Sequence, residues 1–440
     1  MTQSKIPVID IFAGPGGLSE GFRSSESNRF DIRLSIEKDK HASQTLWLRS
    51  FLRNSLVSST KKIFDDYVRG YLTETDLRAS DPDSAKKADR ETWQAELGNV
   101  SRDEVRARID LSLDGEDNWA LIGGPPCQAY SLAGRSRLLP VLGQEAFDED
   151  PRHFLYLEYL KILADHAPSV FVFENVRGLL SSTVRGKSVF HQIRNDLKDP
   201  AGQVSSERKQ AGKARYRLLS LTAGWDDGEL DPKDFMVQSE KYGVPQARHR
   251  VIIVGVRQDI IDDSRVDPGV LEEQSPVPTV SQVVGDLPRI RSGISGSRAD
   301  GSAWKHALKM ALQKFRDDPV DSNQSLLEFQ QNVKESLERV ESESLGIGDE
   351  ETLYPVPDYA NPLGDWYSKE NPGLLTNHSG RTHRVDDLSR YLFCSIYAKA
   401  IGKSPTLKDF PEDLLPAHKN VGDSTRNGHF ADRFRVQASD

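Results

Sequence analysis

The segment IPVIDIFAGPGG, residues 6–17, decides the fold of this chain. Its first half is an apolar, β-branched run typical of a buried strand, and its second half is a glycine-rich turn before an amphipathic helix. Glycines in such a turn let the backbone approach a ligand closely and direct free amides at it. Glu37 stands about 20 residues further on, at the end of the second predicted strand, where an acid commonly binds ribose hydroxyls. The segment therefore predicts an α/β fold with a ligand at this turn.

Other short apolar runs extend this pattern along the chain. They lie at 32–36, 119–122, 170–173, 218–221 and 251–256, and most are separated by amphipathic segments of helical length. This rhythm predicts a mostly parallel sheet flanked by helices.

The alternation of strand-like and helix-like segments also predicts the domain organisation. It ends at about residue 257, and the sequence that follows is rich in Pro, Gly and Ser, with helical patches at 307–315, 326–340 and 388–401. We therefore expect a first domain over 1–257 and a smaller, irregular region over 258–440. Ser43–Arg108 is longer than a compact α/β unit needs and is predicted to be a helical insertion.

Composition narrows the class of protein. The chain has 440 residues, 37% of them hydrophobic, with no apolar run of the roughly 18 residues that a membrane span requires. The N-terminal sequence lacks the pattern of a secretory signal, so a cytoplasmic protein without membrane contact is expected. Cys127 and Cys394 are the two cysteines, which excludes a disulfide framework and makes a conspicuously placed cysteine a candidate nucleophile.

Chemically useful residues follow three of the predicted strands. Cys127 follows Gly-Gly-Pro-Pro at the end of one strand, where the prolines restrict the backbone and the thiol is exposed at the ligand-binding edge. Glu174 ends the next strand, where a carboxylate can exchange a proton with a bound heterocycle. Arg248 and Arg250 lie on one face where the last strand begins and suit an anion or a polar base edge. Cys394 lies in an apolar helical segment and is expected to be inert core packing.

The net charge of −9 conceals an uneven distribution. Ten basic residues between 177 and 217 stand against three acidic ones, and such a segment either follows a phosphate backbone or forms an ordinary solvated surface. The basic residues are Arg177, Arg185, Lys187, Arg194, Lys198, Arg208, Lys209, Lys213, Arg215 and Arg217.

The ordered motifs DIFAGPGG, GGPPCQ, ENV and QARHR strongly resemble those of the DNA (cytosine-5)-methyltransferases over residues 6 to about 257. The resemblance implies a Rossmann-like class I methyltransferase core that transfers methyl groups from S-adenosyl-L-methionine to carbon 5 of cytosine in double-stranded DNA. Cys127 would attack carbon 6 of a flipped-out base, Glu174 would act at ring nitrogen 3, and Arg250, with Arg248, would hold the ring's carbonyl oxygen. No metal site is predicted. The matching cofactor positions are Phe12, Ala13, Gly14, Gly16, Glu37, Pro126 and Leu155.

Two parts of the family pattern are hard to place. The acid that contacts the cofactor's adenine is one, with Asp110 as a candidate. The other is the closing pair of C-terminal motifs, which is not found before the sequence ends. We therefore expect the larger half of a split enzyme, completed by a second polypeptide, with a truncated chain as the rival explanation. Residues 258–440 would recognise DNA, with these possible contacts: Trp366, Asn377, His378, Arg381, His383 and Arg384.

Two other functions remain open from the sequence. A catalytically silent DNA-binding subunit could keep the fold, although Cys127, Glu174 and Arg250 together argue against it. An RNA cytosine methyltransferase acting on tRNA could share the domain and its chemistry, although the large region after 257 favours duplex DNA. The DNA recognition sequence is not derivable, and the sequence leaves open whether the biological setting is a restriction-modification system, phage defence or another role.

Overall fold

The computed structural model describes residues 5–25, 29–55, 60–126, 155–184, 186–263, 268–285, 287–297, 300–317, 324–342, 344–348, 351–353, 374–406 and 409–415. The chain divides into two compact units, Met1–Val277 and Pro278–Asp440. The first unit therefore ends at Val277, whereas the sequence rhythm placed the boundary near 257. Residues 268–277 remain with the first unit, and backbone hydrogen bonds from Leu271 to Leu221 and from Gln274 to Lys241 hold them there.

A large sheet organises the first unit. The strands of this unit, in chain order, are β1 (Ile6–Ile11), β2 (Phe30–Glu37), β3 (Thr92–Gln94), β4 (Ala120–Gly123), β5 (Val170–Val176), β6 (Thr183–Val184), β7 (Lys187–Ser188), β8 (Tyr216–Ser220), β9 (Gly224–Trp225), β10 (Met236–Gln238) and β11 (His249–Arg257). Nine of these described strands form one sheet in the order β3-β2-β1-β4-β5-β11-β8-β9, with β10 paired to β11. Neighbours from β3 to β5 are parallel, and β11 is antiparallel to both β5 and β8. The predicted α/β fold, a mostly parallel sheet flanked by helices, is confirmed.

The sheet has two edges that matter for function. The carboxyl edge is the one where β1, β4 and β5 end, at Ile11, Gly123 and Val176. Because β11 runs in the opposite direction, it begins at this edge, and Arg250 pairs with Val176. Ligands bind at the carboxyl ends of strands in sheets of this type.

The amino edge is the opposite one, where β4 begins at Ala120 and β5 begins at Val170. The strand β11 ends there at Arg257, which pairs with Tyr216 of β8. The segments just before β4, β5 and β8 therefore also lie at the amino edge.

Helices cover both faces of the sheet. The helices of this unit are α1 (Gly17–Arg23), α2 (Lys40–Asn54), α3 (Thr60–Val68), α4 (Glu74–Ser80), α5 (Pro82–Glu91), α6 (Arg102–Leu113), α7 (Tyr156–His166), α8 (Val189–Lys198), α9 (Pro200–Gln203) and α10 (Gln258–Asp263). Alternation along β1 places Ile9 and Ile11 in the main core with α6, α7 and α8, and places Val8 in a smaller cluster with Leu18 of α1. Burial on both faces explains why the strands read as continuous apolar runs.

The segment Ser43–Arg108 is helical over most of its described residues. Its helices α2, α4 and α5 are capped by Asp39, Thr73 and Asp81, and they share a small core around Trp47 and Phe51. The segment also contains β3 and the beginning of α6, which continue the parallel βα pattern of the sheet. Chain beyond this βα pattern is therefore concentrated in α3, α4 and α5, and the insertion over 43–108 stays a prediction.

The second unit is mainly helical among its described residues. Its elements are α11 (Val280–Val284), β12 (Gly293–Ile294), α12 (Gly301–Asp317), α13 (Gln324–Ser342), β13 (Glu351–Leu353), β14 (Leu374–Thr376), β15 (Thr382–His383) and α14 (Val385–Ile401). The helices α12, α13 and α14 pack around Phe315, Phe329 and Phe393, which confirms the three predicted helical patches. Within the described ranges, no helix has both the length and the apolar character needed to cross a membrane.

Candidate active site

The glycine turn after β1 is fixed by short backbone contacts. The N–H of Ala13 donates to the carbonyl of Ile36 at 3.1 Å, which ties the turn to the end of β2. Gly16 has φ of 90°, and a Cβ there would lie 2.8 Å from Leu46, so a larger residue would be strained and crowded. Phe12 also has a positive φ of 55°, an uncommon conformation for a bulky residue that is often found at functional sites.

Glu37 is held against the same turn. Its carboxylate accepts hydrogen bonds from the N–H of Gly14 at 2.8 Å and from the N–H of Asp39 at 2.8 Å. A carboxylate has about four acceptor sites, so two backbone donors leave room for a ligand's hydroxyls. Backbone donors thus fix the position of the predicted ribose-binding acid.

A cleft of about 240 Å³ opens beside Glu37. Four predicted cofactor residues line it, namely Phe12, Glu37, Pro126 and Leu155. Ala13, Gly14 and Gly16 form the turn at its border. The structure therefore brings all seven sequence-predicted positions into one neighbourhood, although their roles toward a cofactor stay predictions.

Asp10 is a buried carboxyl group next to this turn. It is 1% exposed, and neither carboxylate oxygen has a hydrogen-bond partner within the described part of the chain. Burial raises the pKa of Asp10 from 3.8 to about 7, and the neighbouring Ser19 offsets only part of that rise. A buried acid without full hydrogen bonding is costly, which marks this position as more than a structural strand end.

One acidic residue that lines the cleft was missed by the sequence analysis. Glu96 follows β3, lines the cleft beside Glu37, and pairs with Lys38 at 3.2 Å. The candidate from the sequence, Asp110, does not line this cleft, and its carboxylate accepts hydrogen bonds from both terminal guanidinium nitrogens of Arg208. The strand β3 has only three residues, too few for a visible periodicity, so the acid after it carried no sequence signal.

Close backbone packing fixes the position of Gly123 and Gly124, which precede the predicted nucleophile Cys127. A Cβ on Gly123 would lie 2.5 Å from the carbonyl oxygen of Ile11, and a Cβ on Gly124 would lie 2.6 Å from Oε2 of Glu174. Only glycine fits at both positions without displacement. Cys127 lies outside the described residues, which end at Pro126 before resuming at Leu155.

Glu174 and Arg250 meet at the carboxyl edge. Nε of Arg250 lies 2.7 Å from Oε1 of Glu174, and both side chains are roughly one quarter exposed. The contact follows from the strand register, since Ile252 pairs with Glu174 and Arg250 lies two residues away on the same face. The structure thus brings together the predicted acid and one of the two predicted arginines.

Arg248 lies in a different environment from Arg250. It precedes β11, its side chain is exposed, and its N–H donates to Ser239 Oγ at 3.0 Å. Within the described residues the carboxylate of Glu174 is paired with Arg250 rather than with Arg248. The two arginines are therefore not equivalent, although both lie at the carboxyl edge.

Asn175 links the acid to the loop that leads to Cys127. Its side-chain Nδ2 donates to the carbonyl of Pro125 at 3.3 Å, and its Oδ1 accepts from the N–H of Val176 at 2.9 Å. Asn175 is 3% exposed, so this bond is shielded from water. The sequence analysis did not assign this residue a role, although it stands directly after Glu174.

The predicted DNA contacts of the second unit fall into three groups. Trp366 lies outside the described residues. His378 and Arg384 have partners, a 2.7 Å hydrogen bond to the Pro288 carbonyl and a 3.1 Å ion pair with Asp386. The remaining positions, Asn377, Arg381 and His383, lie on or beside the short strands β14 and β15, with Asn377 and Arg381 exposed. Their contacts to DNA stay predictions.

The strand order and the glycine turn define a doubly wound α/β protein with an acid-lined cleft beside that turn. A model of the C-5 cytosine-specific DNA methylase family matches residues 84–205 and 233–384. That is more than half of the chain. This protein belongs to the C-5 cytosine-specific DNA methylase family.

Individual relatives agree with this family. Type II methyltransferase M.Bpa9945I of Bacillus paralicheniformis is 29% identical over 302 residues, which cover 64% of this chain and 61% of the relative. Type II methyltransferase M.BspRI of Lysinibacillus sphaericus is 34% identical over 64% of this chain and 53% of the relative. DNA (cytosine-5-)-methyltransferase M.ApeKI of Aeropyrum pernix is 27% identical over 58% of this chain and 45% of the relative. The chain thus matches about half to three fifths of the length of these relatives.

Proposed function

We propose that this protein transfers a methyl group from S-adenosyl-L-methionine to carbon 5 of cytosine in double-stranded DNA. Its family supports the reaction, and a relative named as a DNA (cytosine-5-)-methyltransferase supports the substrate. Other relatives are named type II methyltransferases, which supports a role in a restriction-modification system. The comparisons give no support to a second polypeptide, which stays a prediction from the sequence.

The single observation that carries the proposal is the pair formed by Glu174 and Arg250 at the carboxyl edge. A carboxyl group and a guanidinium in contact can together bind the polar edge of a pyrimidine, one at a ring nitrogen and the other at the adjacent carbonyl oxygen. Gly124 packs directly against Glu174, so the strand that leads to Cys127 arrives at the same place.

The residues around the cleft fit the cofactor. Glu37 offers acceptors for ribose hydroxyls, and Glu96 offers an acceptor for an exocyclic amine. Phe12 and Leu155 offer apolar surfaces for a flat base. The buried carboxyl of Asp10, which makes no hydrogen bond within the described residues, would suit the cationic part of the molecule once ionised. When bound, S-adenosyl-L-methionine supplies an electrophilic methyl group on a sulfonium.

The chain's own residues would activate the base. Carbon 5 of cytosine is a weak nucleophile, and bond formation between the Cys127 sulfur and carbon 6 would move electron density to carbon 5. Glu174 would supply or share the proton at ring nitrogen 3, and Arg250, assisted by Arg248, would stabilise negative charge at the carbonyl oxygen. After methylation the hydrogen on carbon 5 would leave to a base such as water, and the bond to Cys127 would break. A base inside a stacked duplex cannot reach these groups, so the cytosine must be flipped out.

The experiment that tests the proposal is covalent trapping. Fluorine at carbon 5 blocks the final elimination, so duplex DNA with 5-fluorocytosine in place of every cytosine needs no knowledge of the recognition sequence. With S-adenosyl-L-methionine present, wild type should form an adduct that survives denaturing electrophoresis, and Cys127→Ser should form none. Cys394→Ser is the matched control, because Cys394 is fully buried and burial raises the pKa of its thiol to about 12.

Other outcomes would overturn the proposal. An adduct that persists in Cys127→Ser would place the nucleophile elsewhere. Methyl transfer from labelled cofactor to tRNA but not to duplex DNA would favour the RNA enzyme. DNA binding by wild type without any transfer or adduct would favour a silent DNA-binding subunit.

A further inference from the structure

The ten basic residues between 177 and 217 separate into distinct groups in the folded chain. Four of them are bound to carboxylates. Arg194 and Lys198 both pair with Asp226, Arg208 pairs with Asp110, and Arg217 pairs with Asp227. Since their charges are already matched within the protein, these four are poorly suited to phosphate binding.

Two others lie at the amino edge. Lys213 and Arg215 are exposed and directly precede β8, whose first residue, Tyr216, pairs with Arg257 at the end of β11. The strand β11 carries Arg250 at its other end, seven residues away, which corresponds to roughly 24 Å at about 3.4 Å per residue. These two charges are therefore remote from the predicted catalytic groups.

Arg177 and Lys187 form the third group, at the carboxyl edge. Arg177 directly follows Val176, the last residue of β5 and the partner of Arg250 in the sheet. Lys187 lies on the hairpin of β6 and β7, where it pairs with Val184. Backbone hydrogen bonds from Ser182 to Leu179 and from Val189 to Ser182 hold this hairpin against the short 3-10 helix that starts at Arg177.

The charges of Arg177 and Lys187 are available to bind an anion from solution. Both side chains are exposed, and neither makes an ion pair or a side-chain hydrogen bond to any residue that the structure describes. Two carboxylates on this edge are engaged, Glu174 with Arg250 and Glu240 with His249. Arg248, also exposed, adds a further positive charge to the same edge. Of the remaining two basic residues, Arg185 and the side chain of Lys209 lie outside the described part of the structure.

We propose that Arg177 and Lys187 bind backbone phosphates of the DNA strand that carries the target cytosine, next to the flipped nucleotide. This inference rests on the proposed function, because it places the DNA at the Glu174 edge. The phosphates of a flipped nucleotide must lie close to the groups that hold its base, and two cations three and thirteen residues after Glu174 stand at that entrance. The other described basic residues of the segment serve the fold or its solvation.

The consequence is a defined salt dependence. Each phosphate contact contributes about 0.9 to the slope of log K against log salt concentration. Losing both contacts should therefore lower that slope by about 2 and weaken DNA binding about tenfold at ordinary ionic strength.

The test measures binding of the full chain to a random-sequence 40-base-pair duplex by fluorescence anisotropy over a series of KCl concentrations. Arg177→Ala/Lys187→Ala should lose about 2 from the slope, while Lys213→Ala/Arg215→Ala, with the same change in net charge, should keep the wild-type slope. The exchange variant Arg177→Lys/Lys187→Arg should also keep it, because either cation can bind a phosphate. Binding of S-adenosyl-L-methionine reports that each variant is folded.

Two results would overturn the inference. In one, the Arg177 and Lys187 double variant keeps the wild-type slope. In the other, Arg177→Ala/Lys187→Ala and Lys213→Ala/Arg215→Ala reduce the slope equally, which would show that the salt dependence reports net charge rather than specific phosphate contacts. Failure of the proposed function is separable, because it would leave wild type with the predicted salt dependence but without methyl transfer or the 5-fluorocytosine adduct.

Discussion

Charged side chains at the two edges of the sheet differ in how many of them are paired. At the carboxyl edge, Asp10 is buried without a hydrogen-bond partner in the described chain, Glu174 has a single arginine, and Arg177 and Arg248 are exposed. At the amino edge, Asp165, Asp110 and Arg257 each form ion pairs. Lys213 and Arg215 are exposed there. The difference supports a ligand site at the carboxyl edge and a structural role for the paired charges at the amino edge.

Asp165 shows how the amino edge is built. It lies near the end of α7, and its carboxylate accepts hydrogen bonds from Arg102, Arg106 and Ser206 at 2.6 to 2.8 Å. Burial alone would raise the pKa of Asp165, but these hydrogen bonds outweigh burial and hold the pKa below its usual value. Next to it, burial lowers the pKa of His166 to about 4, so this ring is neutral at physiological pH.

The largest expected effect lies at the carboxyl edge. Glu174→Gln keeps the shape of the side chain but removes its proton exchange, and kcat for methyl transfer should fall by about 10²- to 10⁴-fold. Unfolding free energy should change by less than about 1 kcal/mol, because the lost ion pair is partly exposed. The matched control is Asp227→Asn, which removes a comparable contact with Arg217 at 2.7 Å and should leave kcat unchanged. Equal losses of kcat in both variants would contradict a catalytic role that is specific to the Glu174–Arg250 pair.

The next largest effect is expected at the amino edge, on stability alone. Asp165→Asn leaves two arginines without their buried carboxylate, and the unfolding free energy should fall by about 3–5 kcal/mol in chemical denaturation. Asp110→Asn, which removes a carboxylate that is about half exposed, should cost less than about 1 kcal/mol. The stabilising effect of Asp165 should be present above pH 4, the range of its unfolded pKa, and be lost as pH falls toward its lowered folded pKa. A loss of kcat in folded Asp165→Asn would contradict the division of roles between the edges.

A smaller effect is expected at Asp10, and it has the opposite sign with pH. Between about pH 4 and pH 7 the unfolded chain ionises at this residue while the folded chain stays protonated, so the wild type should lose stability as pH rises. The shift from 3.8 to about 7 sets an upper limit on the order of 4 kcal/mol for this loss. Asp10→Asn cannot ionise, so its stability curve should be flatter over that window in thermal melts.

The control for Asp10 is Asp114→Asn. Asp114 is exposed and has φ of 50°, a conformation that asparagine also adopts readily. This variant should keep the wild-type pH dependence. A wild-type curve that is already flat from pH 4 to 7 would show that Asp10 is ionised or hydrated in the folded protein.

Sequence patterns predicted the carboxyl edge better than the amino edge. Glu37, Glu174 and Arg250 could be found because each stands at the end of a long apolar strand, where topology alone brings residues together. The cluster around Asp165 could not be found, because its arginines come from α6, some sixty positions earlier, and their approach depends on how helices pack. Glu96 was missed for a third reason, the brevity of β3.

The central place of β11 has a consequence for how the protein is made. As the ribosome extends the chain from its N-terminus, β8 emerges before β11, yet it joins β5 only through β11, which lies between them. Glu174 is likewise synthesised more than seventy residues before its arginine partner. The nascent protein therefore carries its acid long before it can have a working site, and the last strand to arrive both joins the sheet and completes the pair.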